Sequence, residues 1–185
     1  MTHKGTQSIR TKRLLLRQYR TDDERQMFEN FLSDPKVTKH VNWVFHTDMK
    51  ETQKFLEMHL EKYPEDASFY GWGIEMGGEI IGSIGAFDVD ENIRACEIGY
   101  SLGSKYWGRG ITTEAADAVL DFLFRQVGFN RVTASHNEGN TASGKVLKKI
   151  GMSYEGTCRE AALRKDGTME NLILYAVLKR DYEIK

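Results

Sequence analysis

Only two cysteines, Cys96 and Cys158, occur in 185 residues, and neither forms a C-x-x-C pair. Their scarcity argues against a cysteine-built metal site and favours a reducing compartment, although one disulfide between them stays open. Nowhere does the chain approach the roughly 18 apolar residues of a membrane span. The opening MTHKGTQSIRTKR is polar and basic and lacks the apolar core of a secretory signal. A cytoplasmic protein with no membrane partner is expected. Charge of one sign is lacking too: 26 Lys and Arg stand against 27 Asp and Glu, so no broad basic field recruits nucleic acid. Internal repeats, low-complexity tracts and linkers are absent. A single domain over residues 1–185 is expected, long enough to bury one sizeable core.

What is present reads as a succession of strand and helix signals. Residues 14–16, all Leu, suit a short first strand. Thr21 and Glu24 have capping-box spacing, ahead of a helix with Met27, Phe28, Phe31 and Leu32 as its buried stripe. Asp48 and Glu51 repeat that signal before Phe55, Leu56 and Leu60. YGWGIEM, a Gly77-Gly78 turn and EIIGSIGAFDV then predict a hairpin, and residues 95–102 continue the meander. Beyond lie a helix over about 113–126, a strand over 131–135, a helix over about 141–150 and strands around 154–163 and 172–178. In the third meander strand Ile98, Tyr100 and Leu102 fall on one face and Glu97, Gly99 and Ser101 on the other. The second face is small and carries one carboxylate. It suits a cleft with a reacting group, although a solvated face with a surface Glu is the commoner case for such a pattern.

Two stretches compete as an anion site. GNTASGKV, residues 139–146, is one letter from the nucleotide loop G-x-x-x-x-G-K-[ST], but that loop needs a final hydroxyl for Mg²⁺ and Val146 offers none. GSKYWGRGITTEA, residues 103–115, is the better cradle. Gly108 and Gly110 let successive N–H groups turn toward an anion while the next helix presents its positive end. Lys105 and Arg109 add charge, and Thr112 and Thr113 add hydroxyls that also suit simple capping. The helix behind is amphipathic through Ala116, Val119, Leu120, Leu123 and Val127.

Lys105-x-x-Gly108-x-Gly110 resembles the Q/R-x-x-G-x-G/A coenzyme A pyrophosphate loop of the GNAT acetyltransferase superfamily, with Lys where Gln or Arg is usual. CEIGYSLGSKYWGRGITTEA is similar to the strand, loop and helix of the Rim-type ribosomal-protein alanine N-acetyltransferases, and the order of elements matches that fold along nearly the whole chain. The resemblance implies an α/β (α+β) fold: a mixed, mostly antiparallel sheet of about seven strands flanked by about four helices, with a coenzyme A cleft between the fourth and fifth strands. It implies acetyl-coenzyme A as co-substrate, without a metal, held by Ser101, Leu102, Lys105, Trp107, Gly108, Arg109, Gly110, Ile111 and Thr112. Asn137-x-x-Asn140-x-x-Ser143 resembles the Rim-type segment in which an Asn binds coenzyme A and the Ser opens a helix beside the thiol. GNTASGKV would then be half of the acyl-donor site.

Acetyl transfer needs a deprotonated amine, a polarised thioester carbonyl and relief for the leaving thiolate. By resemblance Glu97 sits at the general-base position, and the Ser101 backbone N–H holds the acetyl carbonyl. Many members protonate the thiolate with a Tyr seven residues after the coenzyme-binding Asn. Here that position is Leu147, and Ser143 is the Rim-type substitute, as acid or only as a hydrogen-bond donor to sulfur. His136 is a structural residue or a titrating one. Cys96 and Cys158 lack a recognisable base partner for nucleophilic work. The implied acceptor is a primary amine, in the Rim-type branch a protein N-terminal α-amine, in a cleft bordered by Trp43, Phe45 and Glu97. Its reference pKa of about 8, against about 10.4 for Lys, eases deprotonation. A small amine or antibiotic acceptor, a non-catalytic acyl-coenzyme A sensor with a protein partner, and a homodimer stay open.

Overall fold

Three strands, Tyr70–Met76, Glu79–Asp90 and Ala95–Leu102, form the expected antiparallel meander, its first turn made by Gly77 and Gly78. Both glycines hold positive φ, where a Cβ would be strained. The computed structural model describes residues 1–39, 45–164 and 167–184. These three strands are β3, β4 and β5. With Ile9–Arg10 (β1), Leu15–Arg17 (β2), Arg131–Asn137 (β6), Ser153–Leu163 (β7) and Met169–Leu178 (β8) they make one eight-stranded sheet in the order β1-β2-β3-β4-β5-β6-β8-β7. Every neighbouring pair is antiparallel except β5 and β6. The strand count exceeds the expected seven because residues 9–10 pair with β2, a strand too short to carry an alternation signal. The expected cleft position therefore becomes the β5–β6 junction.

The helices are Glu24–Met27 (α1), which continues as a wider turn over Phe28–Leu32, then Pro35–Thr38 (α2), Met49–Glu65 (α3), Ile111–Asp121 (α4), which continues over Phe122–Val127, Thr141–Lys149 (α5) and Lys179–Tyr182 (α6). Ile111, Ala115, Val119 and Leu147 of α4 and α5 join Ile98 and Leu102 of β5 in the main core. Tyr19, Met27, Phe31, Leu32, Leu56 and Ile80 form a second, smaller core beneath α1 and α3. Each large side chain buried there stabilises the fold by about 1.5–3 kcal/mol. Among the described residues no helix is long and apolar enough to cross a membrane.

The two helix-start signals fare differently. Asp48 accepts from the Glu51 N–H at 3.1 Å and Glu51 accepts from the Thr47 N–H at 2.6 Å, a reciprocal cap of α3. The Thr21–Glu24 box does not form: Asp23 precedes α1, and no side chain caps that helix. The Asp23 carboxylate instead takes both terminal nitrogens of Arg17, at 2.7 and 2.8 Å, and the Arg20 N–H. Arg17 also donates to Glu75 at 2.5 Å. A buried ion costs several kcal/mol to desolvate, and bidentate pairing with further hydrogen bonds offsets that cost.

One departure from regular pairing positions the site. β5 and β6 pair only at Ala95, Cys96 and Glu97. β4 holds β5 from Gly82 to Asp90, while β8 holds β6 along its whole length. Past Glu97 the two parallel strands separate into a fork.

Candidate active site

A cavity of about 350 Å³ opens at the fork, between the loop after β5 and helix α5. Gly108 and Gly110 hold φ of +74° and +72°, and Gly110 leads into α4 with no side-chain cap. The first N–H groups of α4 are thus presented to an anion, at the positive end of the helix. Arg13 braces the loop, donating to the Arg109 carbonyl at 2.9 Å and to Glu114 at 2.6 Å, where Thr11 adds another 2.6 Å bond. Burial pushes the Glu114 carboxyl up, but the Thr11 and Arg13 hydrogen bonds outweigh it and hold the group below its ordinary value. Trp107 Nε1 donates to the Leu102 carbonyl at 2.7 Å, pinning the strand end of the loop. Across the cavity Asn140 caps α5 through the Ser143 N–H at 3.3 Å. Arg109, Lys145 and Lys149 line the cavity with no carboxylate among them. Glycine turns, a free helix N-terminus and three cations fit the pyrophosphate of coenzyme A.

A second cavity, of about 850 Å³, adjoins the first along β3, β4 and β5. Its floor is made of small residues, Gly71, Ser83, Gly85, Gly99, Ser101 and Ser135. Its wall is aromatic: the His59 ring centroid lies 4.4 Å from Phe55, 5.2 Å from Tyr19 and 5.3 Å from Phe69. Burial lowers the His59 pKa and raises that of Tyr19, so both rings are uncharged at neutral pH. Glu97 projects into this cavity, and its Oε1 accepts from Ser135 Oγ at 2.7 Å.

Four residues, Tyr100, Ser101, Asn140 and Ser143, line both cavities. Ser101 Oγ lies 3.0 Å from Ser83 Oγ, and Tyr100 Oη lies 2.8 Å from Ser143 Oγ. A thioester in the first cavity and an amine in the second would meet among these hydroxyl groups.

Ser101, Leu102, Trp107, Gly108, Arg109, Gly110, Ile111, Thr112, Asn140 and Ser143, all expected around coenzyme A, come together on the first cavity. Lys105 is not in its lining: its ammonium donates to Asn30 Oδ1 at 2.7 Å and sits 5.0 Å over the Tyr106 ring. Asn137 lines the second cavity instead of the first. Phe45 is half-buried and lines neither, and Trp43 lies outside the described residues. Leu147 is fully buried in the main core. His136 lines the second cavity, fixed by the Asn137 carbonyl 2.8 Å from Nδ1, by stacking 5.7 Å from Tyr175, and by Gly144, where a Cβ would meet Nε2 at 2.7 Å. Burial pushes the Cys96 thiol up to about 12, which disfavours the nucleophilic thiolate, and the exposed Cys158 lines neither cavity.

The reading from sequence missed Lys145 and Lys149, Ser135 and Tyr100. The lysines had a signal, since i,i+4 spacing on a predicted helix puts both on one face. Ser135 and Tyr100 had none, because their partners appear only when β5, β6 and α5 are assembled.

Residues 13–153 match the family model of an acetyltransferase (GNAT) domain. The chain is 30% identical over 177 residues to the uncharacterized N-acetyltransferase p20 of Bacillus licheniformis, across 95% of this chain and 98% of that one. It is 31% identical over 91 residues to the [ribosomal protein uS5]-alanine N-acetyltransferase of Escherichia coli, across 49% and 46% of the two chains. A GNAT-family acetyltransferase from Bacillus anthracis superposes with a TM-score of 0.82 at 25% identity, over 94% of this chain and 99% of that one. A ribosomal L7/L12 α-N-protein acetyltransferase in complex with coenzyme A shares the fold, with a TM-score of 0.82 at 20% identity, over 93% and 98%. With the family model matched along more than half of its length, the chain belongs to the GNAT acetyltransferase family and is an N-acetyltransferase.

Proposed function

We propose that this chain, as one acetyltransferase domain over residues 1–185, moves an acetyl group from acetyl-coenzyme A to the α-amine of a protein N-terminus of the ribosomal type. The observation that carries the reading is the meeting of two cavities at Tyr100, Ser101, Asn140 and Ser143. The Gly108–Gly110 turn, the start of α4, Arg109, Lys145 and Lys149 would hold the pyrophosphate. When bound, acetyl-coenzyme A supplies an activated acetyl thioester. Glu97, oriented by Ser135, takes a proton from the amine directly or through water. Ser143 hydrogen-bonds the leaving sulfur, whereas the Ser101 N–H, expected at the acetyl carbonyl, faces the Ser83 carbonyl in the β4–β5 ladder.

The acceptor cavity has room for a peptide. Its volume of about 850 Å³ leaves room for several residues of an extended peptide beside the reacting amine. Its aromatic wall is neutral, and Asp66, Asp88 and Glu97 line it together with Lys62.

A thiol-release screen with acetyl-coenzyme A tests the reading, run against ribosomal-protein N-terminal peptides and a panel of small amines. The expected result is release with at least one peptide, at a kcat/KM about tenfold or more above the best small amine. Turnover confined to small amines overturns the acceptor assignment. Coenzyme A binding without turnover on either panel would instead indicate an acyl-coenzyme A sensor.

A further inference from the structure

Leu147, where the family resemblance puts a proton-donating tyrosine, is sealed in the core. A phenol of this chain instead reaches Ser143 from strand β5. Tyr100 Oη lies 2.8 Å from Ser143 Oγ, and both residues line the donor and the acceptor cavity. Among the described residues the only other partner of this hydroxyl is the Ser143 carbonyl, at 3.4 Å. We propose that Tyr100 is a positioning residue, which donates its hydrogen bond to Ser143 Oγ and so turns the serine hydrogen toward the leaving sulfur. The inference rests on the role given to Ser143 above.

The direction of the bond follows from geometry and charge. At 2.8 Å the serine oxygen is a good acceptor, whereas a carbonyl at 3.4 Å is marginal. A serine hydroxyl has one hydrogen. If Tyr100 donates to Ser143, that hydrogen is free for the cleft, and an O–H···O–H···S chain strengthens each link. Burial pushes the Tyr100 phenol up to about 12, against a smaller opposing effect of the Ser143 bond, so it stays protonated at working pH. For the same reason Tyr100 is not a net acid, because an ordinary thiol, with a pKa of about 8.5, holds its proton less tightly. The step balances without it. The C–N bond forms, the amine proton passes to Glu97, the C–S bonding pair goes to sulfur, and the thiolate is held by Ser143 and protonated by water after release.

Two measurements on Tyr100→Phe, Ser143→Ala and the double variant test this. The first is the pKa of the coenzyme A thiol in the binary complex, read from ultraviolet thiolate absorbance, which needs no acceptor. A donated hydrogen bond stabilises the thiolate, so each single variant should raise that pKa, and the double variant no further than Ser143→Ala. The second is steady-state kinetics. Tyr100→Phe should lower kcat about 3- to 10-fold, the worth of one neutral hydrogen bond, with KM and coenzyme A affinity unchanged. It should add nothing in the Ser143→Ala background. Wild-type thiol pKa and kcat in Tyr100→Phe, with Ser143→Ala impaired, overturn the inference alone. Wild-type values in Ser143→Ala overturn the role of the serine and the inference with it.

Discussion

Ser135 Oγ donates to Glu97 Oε1 at 2.7 Å, just beyond Glu97–Thr133, the last β5–β6 pair before the fork. The bond holds the carboxylate over the acceptor cavity and leaves Oε2 to take a proton. Glu97→Gln keeps an oxygen for Ser135 but loses the base. Turnover is expected to fall about a hundredfold near neutral pH and to recover at alkaline pH, where the free amine supplies its own deprotonated form. Coenzyme A affinity should hold. A pH–rate profile checks this, and a variant that matches wild type across the range makes Glu97 an ordinary strand residue.

Gly110 stands at φ +72°, where an added Cβ has only Arg13 Nη2 near it, at 3.8 Å. Valine there strains the backbone by about 1–3 kcal/mol and blocks approach to the start of α4, without a clash that unfolds the chain. Coenzyme A should stabilise the wild type to heat without Mg²⁺, by about 2.7 kcal/mol at a hundred times its Kd, and Mg·ATP far less. Gly110→Val should bind coenzyme A about tenfold or more weakly by calorimetry. Unchanged affinity in a folded variant would remove this loop from the site.

Asp23→Ala strips the bidentate partner from Arg17, a residue only 5% exposed. Asp23 hydrogen bonding is the main reason the guanidinium pKa is raised. The expected loss is about 3–5 kcal/mol in urea unfolding, since a buried charge is left half-compensated. A loss below about 1 kcal/mol would mean the pair behaves like an exposed one.

Burial lowers the pKa of both His59 and His46. Below about pH 6.5, the reference imidazole value, the unfolded chain then binds more protons than the folded one. Stability therefore falls as pH drops through that value. Melting temperature should decrease between about pH 7.5 and 5.5, and His59→Phe, which keeps a ring in the aromatic wall, should flatten part of that slope. An unchanged slope in the variant would contradict a neutral, buried His59.

Local signals were legible and long-range ones were not. The Gly77-Gly78 turn and the alternation in β3 to β5 need only neighbouring residues, and so does the Gly108-x-Gly110 turn before α4. The Thr21–Glu24 box failed because Asp23 is claimed by Arg17, which also binds Glu75, 58 residues from it. Lys105 had the right charge in the right motif, yet Asn30, 75 residues away, captures its ammonium. Ser135 and Tyr100 enter the site through partners 38 and 43 residues distant. Such pairings depend on where two strands part, which no residue pattern in either strand records.

A conjugate joining coenzyme A through an acetyl bridge to the α-amine of an N-terminal peptide would span both cavities across Tyr100, Ser101, Asn140 and Ser143. Linking the halves makes the second binding event intramolecular, and the bridge mimics the point of transfer. Calorimetric titration should give a Kd about a hundredfold or more below that of coenzyme A alone. A conjugate that binds no more tightly than coenzyme A would contradict the meeting of donor and acceptor at these four residues.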